Sequence, residues 1–339
     1  MMPKILAKLI IFCSLFTILS CHRKSEVTNG AYFWNSRNFY EYFSERELLA
    51  MKCNKIKKYY CKLTDVVFDR DYHARPTTIY SLPTVDSFQQ EILVPCIYFT
   101  NEVMLQSTKE ELEYMANKIA TRVNELKVKE FQIDCDWSET SKDNYFHFIR
   151  ELKKKLNKET AISATIRLYQ YKYFEKAGVP PVDRGMLMLY NFNPPTTYNG
   201  KNAVFEMQEA KKYLNDIDYP LPLDFAMAHY TWHILYDIDN NFIGFVNPED
   251  TKNILNIATQ QKDTNCYVLK EDISLEGYFA RKGQKLVKHE TNAATIQQSV
   301  DLIQDIKNTA KYSVAIFDMN EKTTNYLLSN ESIFKKVLP

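Results

Sequence analysis

The chain of 339 residues carries 43 Lys and Arg against 42 Asp and Glu, with 45% hydrophobic and 14% aromatic residues. Charge this balanced, with its signs interspersed, excludes the basic stripe that a nucleic-acid partner requires, while the apolar content suffices for a large core. The 7 glycines form no G-x-G-x-x-G and no phosphate-cradling loop, so a nucleotide site loses its main support.

The first element is a leader. Lys4 and Lys8 flank the start of an apolar run from Leu9 to Leu19, too short to cross a bilayer and shaped like a secretory signal. It ends in Ile18-Leu19-Ser20-Cys21, which resembles the bacterial lipobox. The resemblance implies removal of residues 1–20, acylation of Cys21 and a tether over 21–29. A mature chain with 41 basic and 42 acidic side chains would remain. The expected location is the bacterial cell envelope, at the outer membrane or the cell surface, with the membrane as a partner through the lipid. No later stretch approaches the ~20 apolar residues of a membrane span.

From residue 30 to 339 the pattern alternates. Strands are expected at Gly30–Asn35, Tyr59–Phe68, Ile92–Asn101, Glu130–Trp137, Ile162–Tyr169, Gly185–Asn191, Leu223–Trp232 and Tyr312–Asp318. Helical periodicity is clearest at Lys109–Leu126, Asn144–Leu156, Ala203–Leu214 and Thr295–Lys307. The reading is an α/β fold, a single (β/α)8 TIM barrel. Residues 70–90, with Pro76 and Pro83, read as a loop, and residues 266–290 as a β-hairpin inserted before the last helix-strand unit. Five cysteines follow Cys21: Cys53 and Cys61 form a candidate bridge, while Cys96 and Cys135 sit in apolar strand patterns as small buried hydrophobes.

The most informative stretch is Phe131-Gln-Ile-Asp-Cys-Asp-Trp-Ser138. Side chains alternate across a strand, so Gln132, Asp134, Asp136 and Ser138 share one face, and Phe131, Ile133, Cys135 and Trp137 the other. Two carboxylates on a buried strand are costly unless paired or solvated, which makes Asp134 and Asp136 the candidate catalytic pair. Barrel chemistry sits at the C-terminal ends of the strands. There stand Trp34, Asp69, Arg167, Met188, Tyr190, Asn191, Tyr230, Trp232 and Asp318, the candidate substrate-binding set. Carboxylates can move protons, aromatics can face sugar rings and amides can bind hydroxyls, so a glycan is the expected partner. The bland alternatives are that Arg167 pairs with Asp134 or Asp136 in a buried network, and that Asp65, Asp69 and Asp318 are caps. His229 and His233 lie four apart on a strand pattern, roughly 13 Å and too far for one ion. Neither a metal nor a cofactor is expected.

At these residues the chain resembles family 18 chitinase-like barrels. Ile133-Asp134-Cys135-Asp136-Trp137-Ser138 looks like their signature strand D-G-x-D-x-D-x-E, and Met188-Leu189-Tyr190-Asn191 like their sixth-strand M-x-Y-D/N. Ala226-Met-Ala-His-Tyr230-Thr-Trp232 echoes the seventh-strand G-x-P-x-Y-G more loosely. The similarity covers about residues 90–235, and the whole pattern also resembles bacterial chitinase-like lipoproteins of unassigned substrate. By resemblance, Asp136 would orient a substrate acetamido group and Tyr190 would hydrogen-bond it. Two departures stand out: Phe131 replaces the family's first aspartate, and Ser138 its proton-donating glutamate. A hydroxyl cannot be a poised acid. Glu139 points to the opposite face unless the strand ends before it.

Three readings follow: a glycoside hydrolase with a rewired pair and a donor among Asp69, Glu139 and Asp318; a glycan-binding lipoprotein without turnover; or a structural or assembly lipoprotein with a satisfied polar network.

Overall fold

The computed structural model describes residues 26–34, 43–71, 73–82, 93–214, 217–262, 264–306 and 311–336. The leader, Cys21 and residues 22–25 lie outside the described residues. Eight parallel strands close a barrel: β1 (Glu26–Phe33), β2 (Ile56–Asp69), β3 (Leu93–Phe99), β4 (Glu130–Cys135), β5 (Ala161–Ile166), β6 (Arg184–Leu189), β7 (Leu223–Ala228) and β8 (Lys311–Phe317). Each pairs with its neighbours in chain order, and β8 returns to β1. The expected (β/α)8 architecture is therefore present.

The strand pattern decides two cores. On β4, Phe131, Ile133 and Cys135 point outward and pack under helices Lys109–Leu126 and Lys142–Lys155 with Leu112, Ala116, Phe148 and Ile149. Gln132 and Asp134 point into the barrel, whose interior apolar cluster includes Tyr32, Tyr60, Cys96, Met186, Met188, Ala226 and Ala315. A capping box of Thr108 and Glu111 starts helix Lys109–Leu126, and Lys127 ends it in the left-handed conformation. Between β2 and β3 the described residues hold no helix; instead the end of β2 turns back and pairs with His73–Pro76.

The insertion is larger than a hairpin. Cys266–Leu269 and Lys285–Glu290 do pair, across a small hairpin of Ile273–Leu275 with Tyr278–Ala280. They belong to a five-stranded antiparallel sheet with Thr231–Tyr236, Phe242–Phe245 and Ala258–Gln260. This unit has its own apolar cluster, including Leu235, Ile254, Leu269 and Leu286.

Several expected boundaries shift for physical reasons. β1 begins at Glu26, so residues 26–29, expected to end the tether, are strand and pair with Lys311–Val314 of β8. The stretch 223–232 divides: β7 stops at Ala228, the His229 N–H bonds the Phe317 carbonyl at 2.6 Å, and Thr231 opens the inserted sheet. Helix 203–214 shrinks to Met207–Lys211 because backbone groups nearby are taken by other partners, Asn191 N–H on Val204 O and Ala203 N–H on His289 Nδ1. Cys53 and Cys61 form no bridge; Cys53 is exposed and Cys61 buried, each a free thiol. Among the described residues no helix is long and apolar enough to cross a membrane.

One glycine is demanded by geometry. Gly178 ends helix Phe174–Ala177 at φ 78°, and a Cβ there would meet Phe146 Cε2 at 2.6 Å. Gly178→Ala is expected to destabilise the fold by about 2–4 kcal/mol through left-handed strain and overpacking. Urea unfolding of that variant measures it, and a midpoint unchanged from the native chain would disprove the close contact.

Candidate functional site

β4 and β5 build the centre of the barrel mouth. Asp134 is buried, and its Oδ1 accepts the Thr165 hydroxyl proton at 2.6 Å. Burial pushes its carboxyl up to about 6, with Asp136 adding to the rise and the Arg167 guanidinium opposing it. Asp136, just past the end of β4, is held by both arms of Arg167, through Nε and, at 3.1 Å, through Nη2. That pair faces outward, with side chains 44% and 26% exposed. Burial disfavours the charge of Arg167, yet Asp136 and Asp134 outweigh it and hold the guanidinium above its ordinary range. Arg167 therefore clamps Asp136 and leaves Asp134 to Thr165.

The strands end early enough to redirect two candidates. β4 stops at Cys135, and the chain turns toward helix Lys142–Lys155. Ser138 joins that turn: its hydroxyl lies 2.9 Å from Thr140 Oγ1 and 3.2 Å from Ser141 Oγ, and its N–H donates to Ser141 Oγ at 2.9 Å. Glu139 is exposed on the rim, 3.4 Å from the Tyr169 hydroxyl. β5 stops at Ile166 because the Arg167 N–H is taken by Gln170 Oε1 at 2.8 Å as helix Leu168–Lys172 begins.

Aromatic side chains make the opposite wall. Phe317, at the end of β8, contacts Tyr190 at 5.2 Å, Tyr32 at 5.4 Å, Trp34 at 5.8 Å and Tyr230 at 5.9 Å, between ring centroids. Tyr190 is 2% exposed, and its hydroxyl has no hydrogen-bond partner among the described residues. Burial raises its pKa well above the ordinary tyrosine range, against the pull of nearby Arg167. Asn191 follows in the left-handed conformation at φ 58°, which asparagine tolerates. There its Oδ1 accepts the Tyr230 hydroxyl at 2.5 Å. Trp232 carries the wall onto the inserted sheet, 5.2 Å from Tyr230 and 5.0 Å from Phe245. Met188 is buried in the interior cluster beneath Tyr190.

Asp69 sits apart from this wall, whereas Asp318 directly follows Phe317. Asp69 ends β2 and is bound by Arg75 through Nε at 3.2 Å and Nη2 at 3.0 Å. Its described partners belong to that hairpin, which is where we assign it. Asp318 lies behind Tyr230 at the start of helix Glu321–Leu328, with Asn320 Nδ2 donating to it at 2.9 Å. His229 and His233 do not converge: His229 is buried against Thr323, where desolvation and Lys322 drive its pKa to about 3, and His233 belongs to the inserted sheet. The cluster Glu113, His147 and Glu151 lies on the outer helices, where His147 bonds Glu113 and Glu151 pairs with Lys154.

Sequence reasoning passed over four mouth residues. Tyr98 stands opposite Asp134 in the β3–β4 register, and burial beside Asp136 and Asp134 pushes its hydroxyl up to about 12. Thr165 is two residues before Arg167, and Phe317 two after Ala315, so period-two counting would have found both. Lys62, 5.3 Å over the Trp34 ring and 2.7 Å from Asp65, stands directly before a register shift in β2 that breaks the count along the strand. Two cavities lie elsewhere: a polar one of 690 Å³ against the inserted sheet, and an apolar one of 720 Å³ between β2 and helix Lys109–Leu126.

The closed parallel barrel with an antiparallel sheet inserted after β7 is a (β/α)8 fold. The structure is similar to the spore cortex-lytic enzyme SleL of Bacillus megaterium, with 13% identity, TM-score 0.54, and 91% of this chain and 74% of that one covered. It is also similar to a chitinase from Bacteroides thetaiotaomicron, with 12% identity, TM-score 0.51, and 92% and 98% covered. At such identities the likeness is one of fold. No protein-family model matches the chain, and no curated protein matches it by sequence.

Proposed function

We propose that the chain is a lipid-anchored protein of the bacterial cell envelope, held through Cys21, whose glycoside-hydrolase-like barrel binds a glycan at its mouth. The observation that carries this reading is the Tyr190 hydroxyl, buried with no partner among the described residues beside Asp134, Asp136 and Arg167. A hydroxyl left unpaired in a protein interior is costly unless a ligand or water meets it. The fold comparison supports the glycan class, and the aromatic wall of Trp34, Tyr230 and Trp232 supports stacking on sugar faces.

Binding without efficient turnover accounts best for the remaining groups. Ser138, at the position of the family's acid, is engaged in the helix-start turn, and Arg167 neutralises Asp136. One observation favours hydrolysis as the second reading: Asp134, at about 6, is held near the pKa that a general acid needs.

A panel of glycans presented to the chain lacking residues 1–21 tests both. We expect saturable binding of one glycan class, weakened about 3- to 10-fold by Tyr190→Phe, the cost of one hydrogen bond. Product release lost in Asp134→Asn would replace the binding reading by a hydrolase. No binding to any glycan, with the fold intact, would sink both.

A further inference from the structure

We infer that the N-terminal end of the barrel is a docking face for an anionic phospholipid surface, so that the mouth opens away from the membrane. The inference rests on the anchoring of Cys21 proposed above. Two independent features of the fold lead to it.

The first is reach. Cys21 precedes the first residue of β1 by five positions, and five residues of fully extended chain span at most about 17 Å. From Glu26 the 8-residue strand climbs to Phe33 at the mouth, a rise of about 23 Å. Turning the mouth onto the bilayer would require the tether to run back along the whole barrel, which it is too short to do.

The second is charge. Helices return antiparallel to the strands, so the ends of helices and the loops entering β2, β4 and β5 gather at the face where β1 starts. That face exposes Lys52, Lys55, Lys57, Lys127, Lys155 and Lys158, none with a carboxylate within 4 Å among the described residues. The acids Glu26, Glu159 and Asp183 on the same face are each bound by another lysine, Lys311, Lys129 and Lys153. Among the described residues, Asp218, Asp305 and Glu331 are further exposed acids near it besides Glu125, which pairs with Arg122. A basic excess on one face of a near-neutral chain suits an anionic leaflet, where each lysine is worth about fivefold in partitioning.

Cys53 supplies the probe, because it is exposed at this end and the other described cysteines are buried. The full acylated chain, reconstituted in vesicles of phosphatidylglycerol and phosphatidylcholine, is labelled with a fluorophore at Cys53. A second form, Cys53→Ser with Asn199→Cys, carries the label in the exposed loop after β6 on the mouth side. We expect a headgroup-attached quencher to quench the Cys53 label several-fold more than the Asn199→Cys label. Lys55→Glu, Lys57→Glu and Lys158→Glu together should lower Cys53 quenching by more than half, to its value on pure phosphatidylcholine. Equal quenching at the two positions, or stronger quenching on the mouth side, overturns the orientation. Quenching indifferent to the three substitutions and to lipid charge overturns the docking face. The mass of the membrane-extracted chain separates this from the anchoring reading: absence of an acylated Cys21 refutes both, whereas an acylated chain with reversed quenching refutes the docking face alone.

Discussion

Asp134→Asn is expected to make the protein more stable at pH 7 by about 2 kcal/mol and to change nothing below about pH 4. The carboxyl sits at about 6 in the fold against an ordinary 3.8, chiefly because burial disfavours its charge. Between those values the native state holds a proton that the unfolded chain has released. Stability therefore falls as pH rises from about 4 to about 6, and it is flat above. The full linkage is about 3 kcal/mol, and an asparagine, itself buried beside Thr165, recovers most of it. Its Oδ1 can still accept the Thr165 proton. Because Asp134 and Asp136 interact, the measured midpoint belongs to the pair. Asp136→Asn should shift stability the other way by less, about 1 kcal/mol, since that ion pair is partly open to water. Thermal melts from pH 4 to 8 decide the matter. An unchanged pH profile in Asp134→Asn would mean that the native carboxyl is already ionised. The same variant should keep glycan affinity within about threefold, as one amide replaces one carboxyl.

The arrangement explains why β4 was the legible part of the site. Period two on a strand is unforgiving, so Gln132 and Asp134 could point only inward once Phe131, Ile133 and Cys135 were buried under helices. The eight-strand rhythm was legible for the same reason, as apolar runs at helix-separated intervals. What escaped was set by contacts remote in sequence. The stretch 223–232 reads as one apolar strand, but its second half leaves the barrel to pair with Lys285–Glu290, more than fifty residues away. Ser138 belongs to the polar face by counting, yet the strand ends three residues earlier, and the Ser141 hydroxyl and Asn101 claim that turn. Asp69 looked like a strand-end carboxylate. The unusual length of β2, 14 residues, carries it past the rim into a hairpin with Arg75. The pairing of Arg167 with an acid could be anticipated, but not that it would choose Asp136 and leave Asp134 to Thr165.

At the opposite end of the barrel, Asp224→Ala should cost about 3–4 kcal/mol of stability and leave glycan binding unaltered. Asp224 is the second residue of β7, with its side chain 1% exposed, and it gathers donors from three strands. Arg184 donates to it through Nη2 at 2.8 Å and Nε at 3.1 Å, the Ser313 N–H at 2.6 Å, and Lys58 stands 3.8 Å away. Deleting the carboxylate strands a half-buried guanidinium and a buried backbone N–H, and breaking a buried pair costs about 3–5 kcal/mol. The lower part of that range applies because the remaining partners soften the loss. Lys58 keeps Glu130 at 2.7 Å, and Arg184 keeps the Lys311 carbonyl at 3.1 Å. Asp224→Asn should fall between the native chain and alanine, as an amide oxygen still accepts one of the donors. Urea unfolding of the two variants at pH 7 gives the size, and titration with the glycan found for the native chain gives the specificity. A fall in affinity as large as the fall in stability would show that the floor and the mouth are one coupled network. An effect confined to stability would place the charges of β4, β6 and β7 at the floor as structural and reserve Asp134, Asp136 and Arg167 for the ligand.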